Sequence, residues 1–279
     1  MDRSEAETWQ TVARGWERQS ASFTAATAGL IERLVELCAL RGDETVLELA
    51  AGPGETGFAA AARLVDGGRL LSSDFAPEMV EVARRRGSAL GLGNVEYRTL
   101  DAMAIDLADA SVDVVLCRFG VMLTPDPAVA LAEIARVLRP GGRVALAVWA
   151  EAERNLWISA TGAAARELGL TATPGPDEPG PFRLADPARL RRLVEGAGLE
   201  VDAIGEVAIT WRAGSLDEWW ETVVDTSPTL SALVREVPPA DFDRVREASQ
   251  ARITGGIAVD GSVSLTGAAI AVGATRSGS

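Results

Sequence analysis

The 279-residue sequence predicts an α/β protein: a doubly wound, mostly parallel seven-stranded sheet with N-terminal helices and a helical lid. Three observations predict it. From Thr45 onward, short apolar runs alternate with amphipathic stretches. The first run, Val46–Ala50, feeds directly into a glycine-rich turn, Gly52-Pro53-Gly54. Past residue 150 the alternation loosens into helical segments flanked by two more apolar runs. Alternation of this kind implies a parallel sheet covered on both faces, because each right-handed crossover needs a helix to return the chain.

The elements follow in order. Residues 4–20 and 23–41 read as two helices, the second carrying Leu30, Ile31, Leu34, Val35 and Leu37 at helical spacing. Strands are expected at 46–50, 68–72, 95–100, 112–117 and 143–149, with helices at about 55–65, 77–91 and 127–138 between them. A helix at about 153–169 leads into the proline- and glycine-rich stretch 171–182, which cannot lie inside an element and marks a loop. That loop is either a surface connection or a mobile edge of a pocket. A helix over 187–197, an alternating strand over 200–211, helices over about 216–251 and a last strand near 262–274 complete the chain. The expected partition is an N-terminal helical cap (1–42), a core (43–150) and a C-terminal part of the core with lid helices (151–279).

Composition narrows the chemistry. A net charge of −13 and a pI near 4.6 argue against nucleic acid and anionic membrane as partners, since a phosphate backbone calls for a basic stripe. There is no His, and all 27 basic residues are Arg. A Ser-His-Asp triad, a Cys-His dyad, a His-rich metal site, a Schiff-base lysine and a P-loop lysine are therefore excluded. Cys38 and Cys117 sit among apolar residues and read as buried free thiols. The start of the chain lacks a signal-peptide pattern and no apolar run reaches membrane-spanning length, so a cytoplasmic protein is expected.

The turn Gly52-Pro-Gly-Glu-Thr-Gly57 fits G-x-G-x-x-G, which alone does not distinguish ligands. Asp74, 22 residues after Gly52, suits a ribose-reading acid in a dinucleotide site as well as in any other nucleoside site. Glu48 separates the two: a carboxylate in the first strand disfavours a nearby pyrophosphate and favours a ligand with a cationic end. With that acid in place, "ELAAGPG" (48–54), "SSDFAPEMV" (72–80), "LDAMAIDL" (100–107), "DVVLCRFGVMLTPDP" (113–127) and "LRPGGRVALAV" (138–148) together resemble class I S-adenosylmethionine-dependent methyltransferases. The likeness is to the small-molecule branch that includes the ubiquinone and menaquinone biosynthesis enzymes. Ala50 departs from the family pattern, standing where the first glycine is usual.

The resemblance implies a Rossmann-like methyltransferase fold with S-adenosylmethionine as cofactor, held by Glu48, Ala50, Gly52 and Gly54. Asp74 would accept from both ribose hydroxyls, or else cap the helix that starts near Pro77. Phe75 and Met79 would line the adenine and ribose side. Asp101 would accept from the adenine amino group and the backbone of Ala102 or Met103 would meet the ring edge, while Cys117, Arg118 and Phe119 would lie under the methionine portion. Pro140 and Gly141-Gly142 would end a helix and reverse the chain into the fifth strand. Gly57 becomes a helix-packing residue, and the helix near Glu55 would offer amides to the methionine carboxylate.

Seven Trp against one Tyr suggest a pocket for a flat or greasy molecule, with Trp16, Phe119, Trp149, Trp157 and Trp219 as substrate candidates; the alternative is that most of these rings are core. Methyl transfer needs positioning above all, and no metal. Without His, any base must be Asp or Glu, or the acceptor must arrive already acidic. The rival functions are a non-methylating reaction such as cyclisation with the cofactor structural, a nicotinamide-dependent oxidoreductase, and a binding-only regulator. Oligomeric state is not readable from the sequence.

Overall fold

The computed structural model describes residues 3–65, 67–175 and 177–278. Met1, Asp2 and Ser279 of the expected partition, and Pro176 of the 171–182 loop, lie outside the described residues. One seven-stranded sheet runs through the molecule in the order β3-β2-β1-β4-β5-β7-β6. Its strands are β1 (Thr45–Leu49), β2 (Arg69–Asp74), β3 (Val95–Thr99), β4 (Val112–Arg118), β5 (Leu138–Trp149), β6 (Leu199–Ala213) and β7 (Val263–Arg276). The first five are parallel; β7 enters antiparallel between β5 and β6. This is the Rossmann-like arrangement that the sequence predicts. The central strands are apolar along their length (Val46, Leu47, Val114, Val115, Leu116, Val144, Leu146 all buried), as strands covered on both faces require.

The helices are α1 (Arg3–Leu37), α2 (Glu55–Ala61), α3 (Pro77–Ala89), α4 (Pro127–Val137), α5 (Leu156–Glu167), α6 (Pro187–Gly196), α7 (Leu216–Thr226), α8 (Pro228–Glu236) and α9 (Pro239–Arg252). Starts are set by local chemistry: Asp126, Asp186, Ser215 and Ser227 each cap a helix through the side chain, and Pro opens five of the nine. Two expectations need correction. The N-terminal pair is one continuous helix, and the Ser and Thr hydroxyls at the expected junction bond to the helix's own carbonyls instead of capping a new start: Ser20 to Glu17 (2.9 Å), Thr24 to Ser20 (2.7 Å), Thr27 to Phe23 (2.7 Å). The Pro140-Gly141-Gly142 turn does not precede the fifth strand but bulges out within it. Val112 of β4 faces Leu138 while Val114 faces Arg143, and Gly141 takes φ 75°.

Two features place the site. α1 crosses from α3 to α7 and packs on β6 and β7. It approaches α7 so closely that a side chain at Gly15 would collide with the Asp225 backbone, and Arg18 and Gln19 both donate to the Asp225 carboxylate. Meanwhile β6 and β7 run on past the end of β5. Trp149 closes β5 opposite Ala269, which also faces Val207, and Trp211 stands four residues farther along β6.

Candidate active site

The glycine turn is built from the ends of β1, β2 and β4. Ala50 (φ 51°), Gly52 (φ 52°) and Gly54 (φ 95°) all lie in the left-handed region. Ala50, standing where the family has glycine, is therefore strained. A side chain added at Gly52 would meet nothing within 4 Å, so the turn borders open space. Asp74 sits half-buried beside it, its carboxylate accepting from the amides of Gly52 (2.9 Å) and Ala76 (3.0 Å). Desolvation raises its pKa while those amides lower it. α3 has Ala76 as its capping residue, with no side-chain cap, so Asp74 is tied to the glycine turn rather than serving as a helix cap. Asp101 accepts from the Met103 amide (2.9 Å), which holds the half-buried Ala102–Met103 turn in place.

Glu48 lies elsewhere than expected. It is 2% exposed, and its carboxylate accepts from the Gly57 amide (2.7 Å) and the Ser72 hydroxyl (3.1 Å) beneath the turn. There it fastens the start of α2 to β1 and β2, beneath the turn and not in the open crevice. Burial pushes its carboxyl up to about 7. Gly57 is glycine because a side chain there would enter the Glu48 carboxylate, which accounts for the third glycine of the motif. One of the amides expected to face a ligand is thus taken by Glu48. Met79 is also displaced from the open crevice: it is buried with Val12 and Ala13 of α1, flanked by Trp9 and Trp16, while Phe75 stays half-buried.

Arg118, at the end of β4, joins the turn to a second region. Its guanidinium donates to Thr56 (2.8 Å), Glu55 (2.9 Å) and Thr27 of α1 (3.1 Å), and lies 5.1 Å from the centre of the Phe23 ring. Glu55 also pairs with Arg86 (2.5 Å). The next residue, Phe119, takes φ 64° and stacks on Trp149 (3.8 Å, 13°). Gly120 follows because a side chain there would strike Ala50 and Cys117. Cys38 and Cys117 are free and buried, and burial pushes the Cys117 thiol up to about 11.

Around Phe23 the rings of Trp16 (4.7 Å), Trp211 (5.9 Å), Trp157 (6.0 Å), Phe119 (6.3 Å) and Trp149 (6.4 Å) all meet it edge to face. Trp157 and Trp211 stack on each other (4.6 Å, 3°). Of the substrate candidates, Trp16, Phe119, Trp149 and Trp157 come together here. Trp219 does not: it is fully buried, pairs with Trp220 and donates its indole N–H to the Trp157 carbonyl (3.2 Å). The sequence reading missed Phe23, Thr27, Glu55 and Trp211 as site residues. Their only signals were an isolated aromatic on α1, an acid at the start of α2 and the end of an alternating strand. Among the described residues no group of three His, Cys, Asp or Glu is placed to hold a metal, and no helix is long and apolar enough to cross a membrane.

Comparison with known proteins agrees with this geometry. A family model described as a methyltransferase domain matches residues 47–146. A demethylmenaquinone methyltransferase of Thermus thermophilus is 37% identical over 112 residues, covering 40% of this chain and 50% of that protein. The chain therefore spans about half the length of this curated relative. Among solved structures, a methyltransferase from Bacillus halodurans described as putative has a TM-score of 0.61 at 20% identity, covering 88% of this chain and 98% of that one. The 4+2 cyclase SpnF has a TM-score of 0.59 at 16% identity, covering 97% of both chains. At these identities the two structures speak to fold alone.

Proposed function

We propose that the chain is a class I S-adenosylmethionine-dependent methyltransferase that transfers a methyl group from S-adenosylmethionine to a small aromatic or apolar molecule, a reading supported by the methyltransferase-domain match and the demethylmenaquinone methyltransferase relative. One observation carries the reading: β4 ends in Arg118 and Phe119 follows it, so a nucleoside-type turn and an aromatic cluster meet at consecutive residues. The residues present suit the cofactor. Gly52 borders open space, Asp74 supplies a half-buried carboxylate for hydroxyls, and Asp101 lies at the next strand end. When bound, S-adenosylmethionine supplies a sulfonium-activated methyl group.

The chain's own contribution is orientation and the exclusion of water. The side chains packed on Phe23 are rings and the Arg118 guanidinium, while Glu55 is occupied by Arg118 and Arg86 and Glu48 by Gly57 and Ser72. Among the described residues, these two carboxylates are engaged in bonds within the protein, which favours an acceptor that ionises or enolises by itself. Arg118 would steady the negative charge of such an acceptor. A ring acceptor of the demethylmenaquinone kind, named for the Thermus relative, is the first to try. Holding donor and acceptor in line can contribute roughly 7–11 kcal/mol.

Calorimetry tests the cofactor. S-adenosylhomocysteine should bind the wild type, and Asp74→Ala should weaken it at least tenfold; NAD binding without S-adenosylhomocysteine binding overturns the reading. Transfer of labelled methyl to a panel of phenols and quinols tests the reaction. A second reading, a non-methylating reaction such as cyclisation, draws on the same engagement of Glu48 and Glu55, and failure of label transfer across the panel with intact cofactor binding would favour it.

A further inference from the structure

Five buried side-chain polar atoms among the described residues have no hydrogen-bond partner, and three of them are the indole N–H groups of Trp16, Trp157 and Trp211. All three rings pack on Phe23. A buried donor without an acceptor is a cost that folded proteins rarely carry, and three around one ring is not a scatter. The same region shows that the fold can satisfy an indole when the role is architectural, since Trp219 donates to the Trp157 carbonyl. Trp157 and Trp211 are 2% and 1% exposed, so bulk solvent does not reach them.

Phe23 fills the centre of this chamber from α1, in edge-to-face contact with five rings and under the Arg118 guanidinium. An incoming flat ring of similar cross-section would reproduce those contacts once Phe23 moved aside. It could add what Phe23 lacks, an oxygen. We propose that Phe23 is a plug in the acceptor pocket, and that Trp157 and Trp211 determine specificity by donating their indole N–H groups to an oxygen on a flat ring acceptor. The inference rests on the aromatic-acceptor reading given above and adds the oxygen and the residues that recognise it. A site built around buried donors rejects an analogue that lacks the acceptor atom, because the donors are then left unpaired.

The test compares 1-tetralone with tetralin, ring systems that differ by one carbonyl oxygen. Binding is measured by calorimetry on the whole chain, with the indole N–H signals followed in nitrogen-15 spectra assigned by Trp→Phe variants. Phe23→Ala should bind 1-tetralone at least tenfold more tightly than the wild type does and prefer it at least tenfold over tetralin. The Trp157 and Trp211 N–H signals should both shift downfield with 1-tetralone and stay in place with tetralin. Adding Trp211→Phe should cut that preference at least threefold, by weakening 1-tetralone more than tetralin. Phe23→Leu, a milder change, should show the same preference with a gain of about threefold, so a failure of the alanine variant to fold does not remove the test. Equal affinity for the two ligands, or unmoved indole signals, overturns the proposal. S-adenosylhomocysteine titration of the same samples separates the outcomes: its binding without a tetralone preference overturns only this inference, and its failure to bind the wild type overturns the function on which it rests.

Discussion

The glycine turn and the aromatic chamber adjoin at Arg118 yet are finished in opposite ways. At the turn the acids are bonded within the protein: Glu48 to Gly57 and Ser72, Asp74 to Gly52 and Ala76, Asp101 to Met103. In the chamber three indole donors have no partner among the described residues. The first is a frame that keeps its shape by itself; the second is closed by packing alone and leaves its polar demands unmet. The contrast teaches that the rigid half can be read from spacing, whereas the aromatic half depends on which rings distant elements bring together.

Four experiments can break or sharpen that contrast. The largest effect should come from Glu48→Gln. A buried carboxyl whose folded value is about 7, above its ordinary 4.5, favours the folded state while protonated, so its contribution falls as pH rises from about 4.5 to 7 and is flat above. That decline amounts to up to about 3 kcal/mol in the wild type and should vanish in the variant, as read from urea unfolding at several pH values. Equal pH profiles would show that the frame does not depend on this group. Gly57→Ala comes next: helix propensity alone predicts a gain of about 1 kcal/mol, but collision with Glu48 should reverse it to a loss of about 2 kcal/mol in thermal unfolding.

Asp74→Ala should cost at least tenfold in S-adenosylhomocysteine affinity, about 1.4 kcal/mol, with little change in acceptor binding; an effect on both would merge the two regions into one. The smallest change is Ala50→Gly, which relieves the φ of 51° and should stabilise by under about 1 kcal/mol, after the greater flexibility of glycine in the unfolded chain is offset. A loss of stability there would mean that the strain at the turn is not intrinsic to the alanine.

What was legible in the sequence follows the same division. The seven strands emerge within a few residues at most ends, apart from β5, which starts five residues earlier than expected because a bulge is invisible to hydrophobic patterning. The glycine turn and the Asp74 and Asp101 strand ends were legible because their residues are tied to neighbours by fixed local geometry. Glu48 was legible as important but not in its role. Sequence shows that an acid is present, not that its carboxylate points down at Gly57 instead of out. Phe23 and Trp211 were not legible, since nothing local tells that residues 188 positions apart will share a chamber. Trp219 and Trp157 look alike in sequence, and only the partner of each indole N–H separates them.

The placement of β7 bears on how the molecule comes into being. This strand, latest in sequence, inserts between β5 and β6, and α1, the earliest element, docks on both β6 and β7. Until β7 arrives, β5 offers an open, apolar edge of the kind that recruits stray chains, and α1 lacks part of the surface it packs on, although α2, α3 and β5 also receive it. Completion of the sheet therefore waits on contacts between residues far apart in sequence, a topology that slows folding, and the aromatic chamber, which joins Phe23 of α1 to Trp211 of β6, depends on contacts of the same kind.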